Sequence, residues 1–293
     1  MASRAGKRGD DGALTNAIAE AAAAIARADA LLVSAGAGMG VDSGLPDFRG
    51  DAGFWTAYPA YAHLGLSFVD LANPRWFRDD PHLAWGFYGH RLNLYRDTLP
   101  HAGFEVMRRW AERCDGGAFV FTSNVDGQFQ RAGFDRERIV ECHGAIESWQ
   151  CTDECGAGIF PATDDAVAVD DRTFRAADPL PTCADCGALA RPNVLMFGDG
   201  TWDGAITAAQ IGRFESWLRV LRRSGLKLAI VECGAGTAVP TVRVTDEDLA
   251  RRFDATLIRI NVREPDVPPG GIAISLGARD AVERIDAALP RPA

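Results

Sequence analysis

Residues 30–40 have the sequence Ala-Leu-Leu-Val-Ser-Ala-Gly-Ala-Gly-Met-Gly, a short apolar run followed by a glycine-rich turn. A continuous apolar run of this length is typical of a strand buried on both faces of a parallel sheet. A buried strand that ends in such a turn is a common beginning of a nucleotide-binding α/β domain. The spacing departs from a strict G-x-G-x-x-G, so this stretch indicates a fold class rather than a ligand.

Strands and helices alternate along the rest of the chain. Helical periodicity extends from Ala13 to about Ala28 and is clearest from Ala205 to Ser224, where Ile211, Phe214, Leu218 and Leu221 fall on one face. This alternation predicts an α/β fold with a Rossmann-like, doubly wound parallel sheet, whose ligands bind at the carboxyl ends of the strands. Further apolar runs of strand length lie at residues 118–122, 138–141, 227–232 and 256–261.

Two segments interrupt this alternation and predict a smaller inserted domain. Residues 51–100 are rich in aromatic residues and proline, with a helix expected from Pro81 to about Arg96, capped by Asp80. Residues 146–189 are poor in strand signals and contain four cysteines. We therefore expect a helical module (51–100) and a zinc module (146–189) to form the small domain. Residues 1–50, 101–145 and 190–293 would form the Rossmann-like domain.

Composition excludes several classes of protein. With 293 residues, 47% hydrophobic and 24% charged, the chain is neither disordered nor fibrous. The net charge of −9 argues against general binding to nucleic acid or to anionic membranes. We find no secretory signal and no apolar run of the roughly 18 residues that a membrane-spanning helix needs. Seven cysteines, an odd number, predict no disulfide framework and favour a reducing, cytoplasmic location.

Four of the cysteines form two close pairs, Cys151-x3-Cys155 and Cys183-x2-Cys186. Four thiolates in two pairs suit a tetrahedral zinc ion, and a site closed by four protein ligands is structural. The alternative is four unrelated buried cysteines. We expect the other three, Cys114, Cys142 and Cys233, to be core residues.

The polar loops, taken together, carry a family resemblance. In chain order and spacing they resemble the sirtuins, the NAD-dependent protein deacylases, from about residue 30 to residue 278. The matching segments are Gly36-Ala37-Gly38, Ser43 to Gly50, Thr122 to Asp126, Cys142-His143-Gly144, Arg191 to Asp199, Gly234 to Thr237 and Ile260-Asn261. Departures from the family pattern occur at Gly40, Ser123, Gln128, Phe129, Asp199 and Ala235-Gly236.

The resemblance implies a role for each loop. His143 would be the general base, because an imidazole with an ordinary pKa of about 6.5 accepts a proton at neutral pH. Asn124 and Asp126 would hold the nicotinamide ribose and the carboxamide. Glycines at 36 and 38 let backbone N–H groups approach a pyrophosphate. The remaining NAD contacts would come from Ala37, Asp47, Phe48, Arg49, Ser123, Gly234, Gly236, Asn261 and Ala278, and peptide contacts from Val194, Phe197 and Gly198.

Tyr88 and Arg91 bear on the acyl chain. At i, i+3 they share one face of the helix that begins at Pro81. They resemble the Tyr-x-x-Arg pair of sirtuins that remove succinyl, malonyl or glutaryl groups, and an arginine with a phenol is a sensible pair for a carboxylate. A packed tyrosine beside a surface arginine is the ordinary alternative.

The reaction that the resemblance implies consumes NAD and transfers no hydride. The acyl-lysine oxygen attacks C1′ of the nicotinamide ribose, and the products are nicotinamide, O-acyl-ADP-ribose and free lysine. Protein ADP-ribosylation or NAD hydrolysis in the same pocket is the first alternative, and a non-catalytic zinc-stabilised binding module is the second. The sequence leaves the protein substrate and the oligomeric state open.

Overall fold

The computed structural model describes residues 4–46, 65–170 and 172–290 of the chain. Its strands are β1 (Ala30–Ala35), β2 (Ala118–Thr122), β3 (Ile139–Glu141), β4 (Gly144–Cys151), β5 (Ile159–Pro161), β6 (Val169–Asp170), β7 (Arg175–Ala176), β8 (Ala190–Val194), β9 (Leu228–Cys233), β10 (Thr256–Ile260) and β11 (Ile272–Ile274). Its α-helices are α1 (Arg4–Ala26), α2 (Phe68–Leu71), α3 (Trp76–Asp79), α4 (Pro81–Asp97), α5 (Ala102–Glu112), α6 (Gln128–Arg131), α7 (Ala205–Ser224), α8 (Thr241–Phe253) and α9 (Ala278–Ala288). Single 3₁₀ turns lie at Ala37–Met39, Val41–Ser43 and Arg136–Arg138.

A parallel sheet with the strand order β11-β10-β9-β1-β2-β3 forms the centre of the larger domain. The strands end in register, because Ala35 of β1 pairs with both Thr122 of β2 and Cys233 of β9. Ile260 of β10 in turn pairs with Cys233. The loops that follow these strands therefore start side by side at one edge of the sheet, which is the edge where open α/β sheets bind ligands.

Helices cover both faces of this sheet, so β1 is buried along its whole length. Leu31 and Val33 point into a core shared with α1, α5 and α9, whereas Leu32 points into a core shared with α7 and α8. Alternate residues of a strand face opposite sides of a sheet, and here both sides are apolar. This arrangement confirms the predicted Rossmann-like, doubly wound fold.

The inserted segments pack against each other around a separate apolar cluster. Leu83 and Trp85 of α4 share it with Ile146 and Trp149 of β4 and with Val167. A small antiparallel sheet in the order β5-β4-β8 lies beside α4. Because β4 begins at Gly144 and β8 ends at Val194, this sheet extends slightly beyond residues 146–189 at both ends. The shared cluster supports the two-domain division, whose boundaries stay a prediction.

Element ends follow the sequence signals closely in most places. Asp80 caps α4, its carboxylate accepting the N–H of Leu83 at 3.2 Å, with Pro81 in the first turn. Helix α1 differs from expectation, since it already begins at Arg4; residues 4–12 contain no proline that would stop a helix. Ile211 also differs: it is 36% exposed, while Phe214, Leu218 and Leu221 are buried as expected.

Among the described residues, no helix is both long and apolar enough to span a membrane.

Candidate active site

A cavity of about 240 Å³ opens at the sheet edge where β1, β9, β10 and β11 end. Four of the residues expected to contact NAD line it, namely Gly38, Gly234, Asn261 and Ala278. The other lining residues are Val41, Asp42, Ile260, Val262, Arg263, Leu276 and Gly277. Its position at the carboxyl ends of parallel strands is the usual one for a nucleotide.

The glycine turns after β1 and β9 pack directly against each other beneath this cavity. A Cβ atom on Gly36 would lie 2.6 Å from the Cα of Ala235, and one on Gly234 would lie 2.4 Å from the backbone of Met39. The N–H groups of Gly36 and Gly38 donate to the carbonyls of Cys233 and Gly234, both at 3.0 Å. These two N–H groups are therefore engaged within the protein and not aimed at a pyrophosphate, contrary to expectation. The glycines instead permit the close approach of the two turns.

Asn261 and its neighbours brace the wall of the cavity. The amide of Asn261 donates to the carbonyl of Ala235 at 2.8 Å, and its oxygen accepts the N–H of Arg263 at 3.0 Å. Glu264 accepts both the N–H and the hydroxyl of Thr237. Arg243 of α8 donates to the carbonyl of Glu264 at 2.8 Å and so ties the helix to the same loop. Glu264 and Arg243 are not among the predicted site residues, because only the fold brings these two loops together.

Ser123, Asn124 and Asp126 follow β2 at the neighbouring position of the edge. The Ser123 N–H donates to the carbonyl of Ala35 at 3.1 Å. The side-chain amide of Asn124 donates to the carbonyl of Gly36 at 3.0 Å, so it spans the loops after β1 and β2. Asp126 is 9% exposed, and its carboxylate accepts the N–H of Gln128 at 3.0 Å. Burial, the largest influence, raises the pKa of Asp126 to about 6.

His143 lies in the turn between β3 and β4 and is half-buried. Its Nε2 is 3.4 Å from the hydroxyl of Thr241 on α8, and its ring also hydrogen-bonds the backbone of Ser123. Burial lowers the pKa of His143 below the ordinary histidine value. This shift favours the neutral imidazole, the form that can accept a proton as a general base must. Thr241 is a third site residue that was not predicted, since a threonine at a helix start has no distinctive signal.

The loop after β8 lies beside His143, because the N–H of Leu195 donates to the His143 carbonyl at 3.0 Å. Val194 ends β8 and is buried, whereas Phe197 is 38% exposed. The Phe197 N–H donates to the carbonyl of Ala72 in the helical module at 2.8 Å. Gly198 follows with a φ of +70°, a value that favours glycine. The residues expected to contact the peptide thus connect the two domains next to His143.

Tyr88 and Arg91 lie together on α4, and both are buried. The Arg91 guanidinium carbon is 5.7 Å from the centre of the Tyr88 ring. Two nitrogens of the Arg91 guanidinium donate to the hydroxyl of Tyr95, at 2.7 and 3.0 Å. Tyr95 was missed, although its i, i+4 spacing from Arg91 is a recognised helical contact.

The four paired cysteines meet as expected. The Cys151 and Cys186 sulfurs are 3.6 Å apart, the Cys155 and Cys183 sulfurs are 3.7 Å apart, and all four lie within 4.8 Å of one another. Sulfurs held tetrahedrally at 2.3 Å from a zinc ion would be about 3.8 Å apart. Gly156 and Gly187, with φ of +93° and +77°, make the tight turns after each pair. The four cysteines are therefore positioned to bind one zinc ion.

Three further residues expected to contact NAD, Asp47, Phe48 and Arg49, lie outside the described residues. Of the others, Ala37 begins the 3₁₀ turn after β1, and Gly236 follows the buried Ala235 in the loop after β9. Both therefore belong to the loops that border the cavity.

Comparison with known proteins identifies similar chains. The family model described as "Sir2 family" matches residues 36–214. The mitochondrial NAD-dependent protein deacylase sirtuin-5 of Danio rerio is 32% identical over 200 residues, which cover 63% of this chain and 62% of that protein. An NAD-dependent protein deacetylase of Haloarcula marismortui is 33% identical over 262 residues, covering 87% of this chain and 86% of that one. A crystal structure of a Sir2 homologue bound to NAD has a TM-score of 0.67 at 25% identity, with 92% of this chain and 93% of that chain covered.

Proposed function

Since the chain belongs to the Sir2 family, we propose that it removes acyl groups from protein lysine side chains, with NAD as co-substrate. The products are nicotinamide, O-acyl-ADP-ribose and free lysine. Both relatives described above carry NAD-dependent deacylase or deacetylase names, and the similar solved structure contains NAD. The observation that carries the proposal is the half-buried His143 ring, held by the Thr241 hydroxyl at the same sheet edge as the cavity.

The site has room for an extended dinucleotide. From β10 to β3 the edge crosses four strand spacings, about 19 Å in all. The cavity at β9–β11 suits the adenosine end, and Asn124 and Asp126 suit the nicotinamide end. When bound, NAD supplies the electrophilic C1′ of the nicotinamide ribose. His143 takes a proton from a ribose hydroxyl, while the hydroxyl of Thr241 and the backbone of Ser123 hold its ring in place.

Nicotinamide release from NAD in the presence of acetyl-, succinyl- and long-chain acyl-lysine peptides tests this proposal. We expect release to require an acyl peptide, mass spectrometry to detect O-acyl-ADP-ribose, and His143→Ala to lower kcat at least about 100-fold, because a positioned general base contributes about that much. His82→Ala is the matched control: this histidine of α4 contacts the carbonyl of Ala176 and should retain full activity. Release without acyl peptide would identify an NAD hydrolase or ADP-ribosyltransferase instead.

Preference for an acidic acyl chain is the finer part of the proposal. The position of Tyr88 beside Arg91 supports it, since a guanidinium and a phenol together can bind an acyl carboxylate. We expect a higher kcat/KM for succinyl-lysine than for acetyl-lysine peptides. Equal values would refute the preference without affecting the deacylase proposal.

The protein also binds one zinc ion, which is held by Cys151, Cys155, Cys183 and Cys186. With all four positions taken by sulfur, it has no open position for water or substrate and acts structurally. The cytoplasmic location expected from cysteine usage stays a prediction.

A further inference from the structure

A buried ion pair closes the loop that follows β8. Arg191 of β8 and Asp199, eight residues further along the chain, form this pair, and their side chains are 3% and 0% exposed. The two terminal nitrogens of the guanidinium donate to the two oxygens of the carboxylate, one of them at 3.1 Å. A bidentate pair of this kind fixes the relative orientation of both groups. The ion pair therefore gives residues 191–199 a fixed base.

Asp199 also shapes the turn within this loop. Its carboxylate accepts the N–H of Met196 at 3.3 Å, while its own N–H donates to the Met196 carbonyl at 3.3 Å. The N–H and the hydroxyl of Thr201 donate to the same carboxylate at 3.2 and 3.3 Å. Arg191 in turn donates to the carbonyl of Val194 at 3.2 Å. Both charges thus hold the backbone of the turn as well as each other.

The turn leaves two apolar side chains exposed next to the site. Val194 and Met196 are buried in the core of the small domain, whereas Leu195 and Phe197 are each 38% exposed. The N–H of Leu195 donates to the His143 carbonyl at 3.0 Å, so this surface has a defined position relative to the imidazole. The four-carbon stem of a lysine packs well along apolar surface. An acyl-lysine that reaches His143 can therefore lie against these two side chains.

We propose that Arg191 and Asp199 are a positioning pair, which holds Leu195 and Phe197 beside His143 in the arrangement that binds the acyl-lysine peptide. This inference rests on the proposed function and deepens it. Because both charged side chains are buried, neither touches the peptide, and both act through the turn that they fix. The pair sets the affinity for the peptide. The cavity at the ends of β1, β9, β10 and β11 has other lining residues and is unaffected.

Peptide binding and amide hydrogen exchange test this proposal together. Fluorescence anisotropy with labelled acetyl- and succinyl-lysine peptides gives the Kd, and calorimetry gives the Kd for NAD. In Asp199→Asn we expect the Kd for both peptides to rise about 10- to 100-fold, because a displacement of about 1 Å in a positioning loop has effects of that size. The Kd for NAD should change much less. The amides of Leu195 and Phe197 should exchange faster, since the turn that holds them is loosened.

A double variant separates positioning from stability. Arg191→Met alone leaves the Asp199 carboxylate buried without its cation, which lowers the free energy of unfolding. Adding Asp199→Asn removes that unpaired charge and should restore much of the stability, so this variant also serves if a single one does not fold. A purely structural pair would regain its peptide affinity at the same time. A positioning pair keeps the Kd for the peptide raised, because the bidentate contact is still missing.

Arg96→Gln is the matched control, since it breaks a bidentate pair with Glu147 elsewhere in the small domain. It should leave the peptide Kd and the exchange of the Leu195 and Phe197 amides unchanged. Wild-type peptide affinity in the double variant, or an equal loss of NAD affinity in Asp199→Asn, would overturn the proposal. A wild-type protein that binds acyl-lysine peptide through this turn and releases no nicotinamide would support the positioning pair and refute the deacylase proposal alone. A wild-type protein that binds no acyl-lysine peptide would refute both.

Discussion

At the scale of the residue, Gly234 determines whether the cavity at the sheet edge can form. Gly234 has a φ of +65°, and a Cβ there would lie 2.4 Å from the carbonyl carbon of Gly38. The chain at this point is held in place by the Gly38 N–H, which donates to the Gly234 carbonyl. An alanine can therefore be accommodated only by separating the turns after β1 and β9. The resulting shift would displace the floor of the cavity.

We therefore expect Gly234→Ala to lower the free energy of unfolding by about 2–4 kcal/mol, from overpacking together with left-handed strain. NAD binding should weaken as well. Urea denaturation and calorimetric titration measure the two effects. Gly212→Ala in the exposed part of α7 is the control, because nothing lies within 4 Å of its added Cβ. That change should stabilise the protein by about 0.5–1 kcal/mol. Similar effects in the two variants would refute this packing argument.

At the scale of the element, local patterns predicted most of the fold. Strand β2 and helix α7 have the bounds that apolar periodicity predicted, and Asp80 caps α4 as expected. Contacts made through side chains distant in sequence were not predictable. Nothing local links Thr241 to His143, or Arg243 to the loop after β10, and both contacts depend on how α8 packs. Sequence patterns thus locate the loops of the site, whereas packing decides their partners.

The zinc module offers a test at this scale. Trp149 of β4 packs edge-on against Trp85 of α4 with ring centres 5.2 Å apart, so the cysteine turns and the helical module share one core. We expect one zinc per chain by mass spectrometry, and none in Cys183→Ser. That variant should lose much of its near-ultraviolet tryptophan circular dichroism and keep the far-ultraviolet signal of the parallel sheet.

Cys114→Ser is the control for the zinc experiment, because this thiol contacts the carbonyl of Trp110 and lies apart from the cluster. It should retain the zinc ion and the tryptophan signal. Full zinc content in Cys183→Ser would contradict the four-cysteine assignment.

At the scale of the whole molecule, a buried polar network joins the sheet to α8. Glu232 of β9 forms a buried ion pair with Arg259 of β10, with a nitrogen–oxygen distance of 2.6 Å. Ser34 of β1 donates to the Asp246 carboxyl of α8 at 2.8 Å. Burial, and next the charge of Glu232, raise the pKa of Asp246 well above its ordinary value. The buried carboxyls of Glu232 and Asp246 thus lie between three strands and a helix, and Arg259 also pairs with Glu247 of α8 at 2.9 Å.

This network makes stability depend on pH in a direction that can be worked out. Folding raises the pKa of Asp246, so this carboxyl contributes to the free energy of unfolding through its protonated form. The contribution is fully present below the ordinary pKa of 3.8 and is lost as the pH rises through the raised pKa. Asp246→Asn keeps an oxygen that accepts from Ser34 and removes the titrating proton. We therefore expect the variant to be at least as stable as the wild type at pH 8 and its urea midpoint to fall less between pH 5 and 8. Asp248→Asn, on the exposed side of α8, should retain the wild-type slope. A steeper fall of the urea midpoint with pH in Asp246→Asn than in the wild type would contradict this, because it would show that the carboxyl is ionised and stabilising in the folded protein.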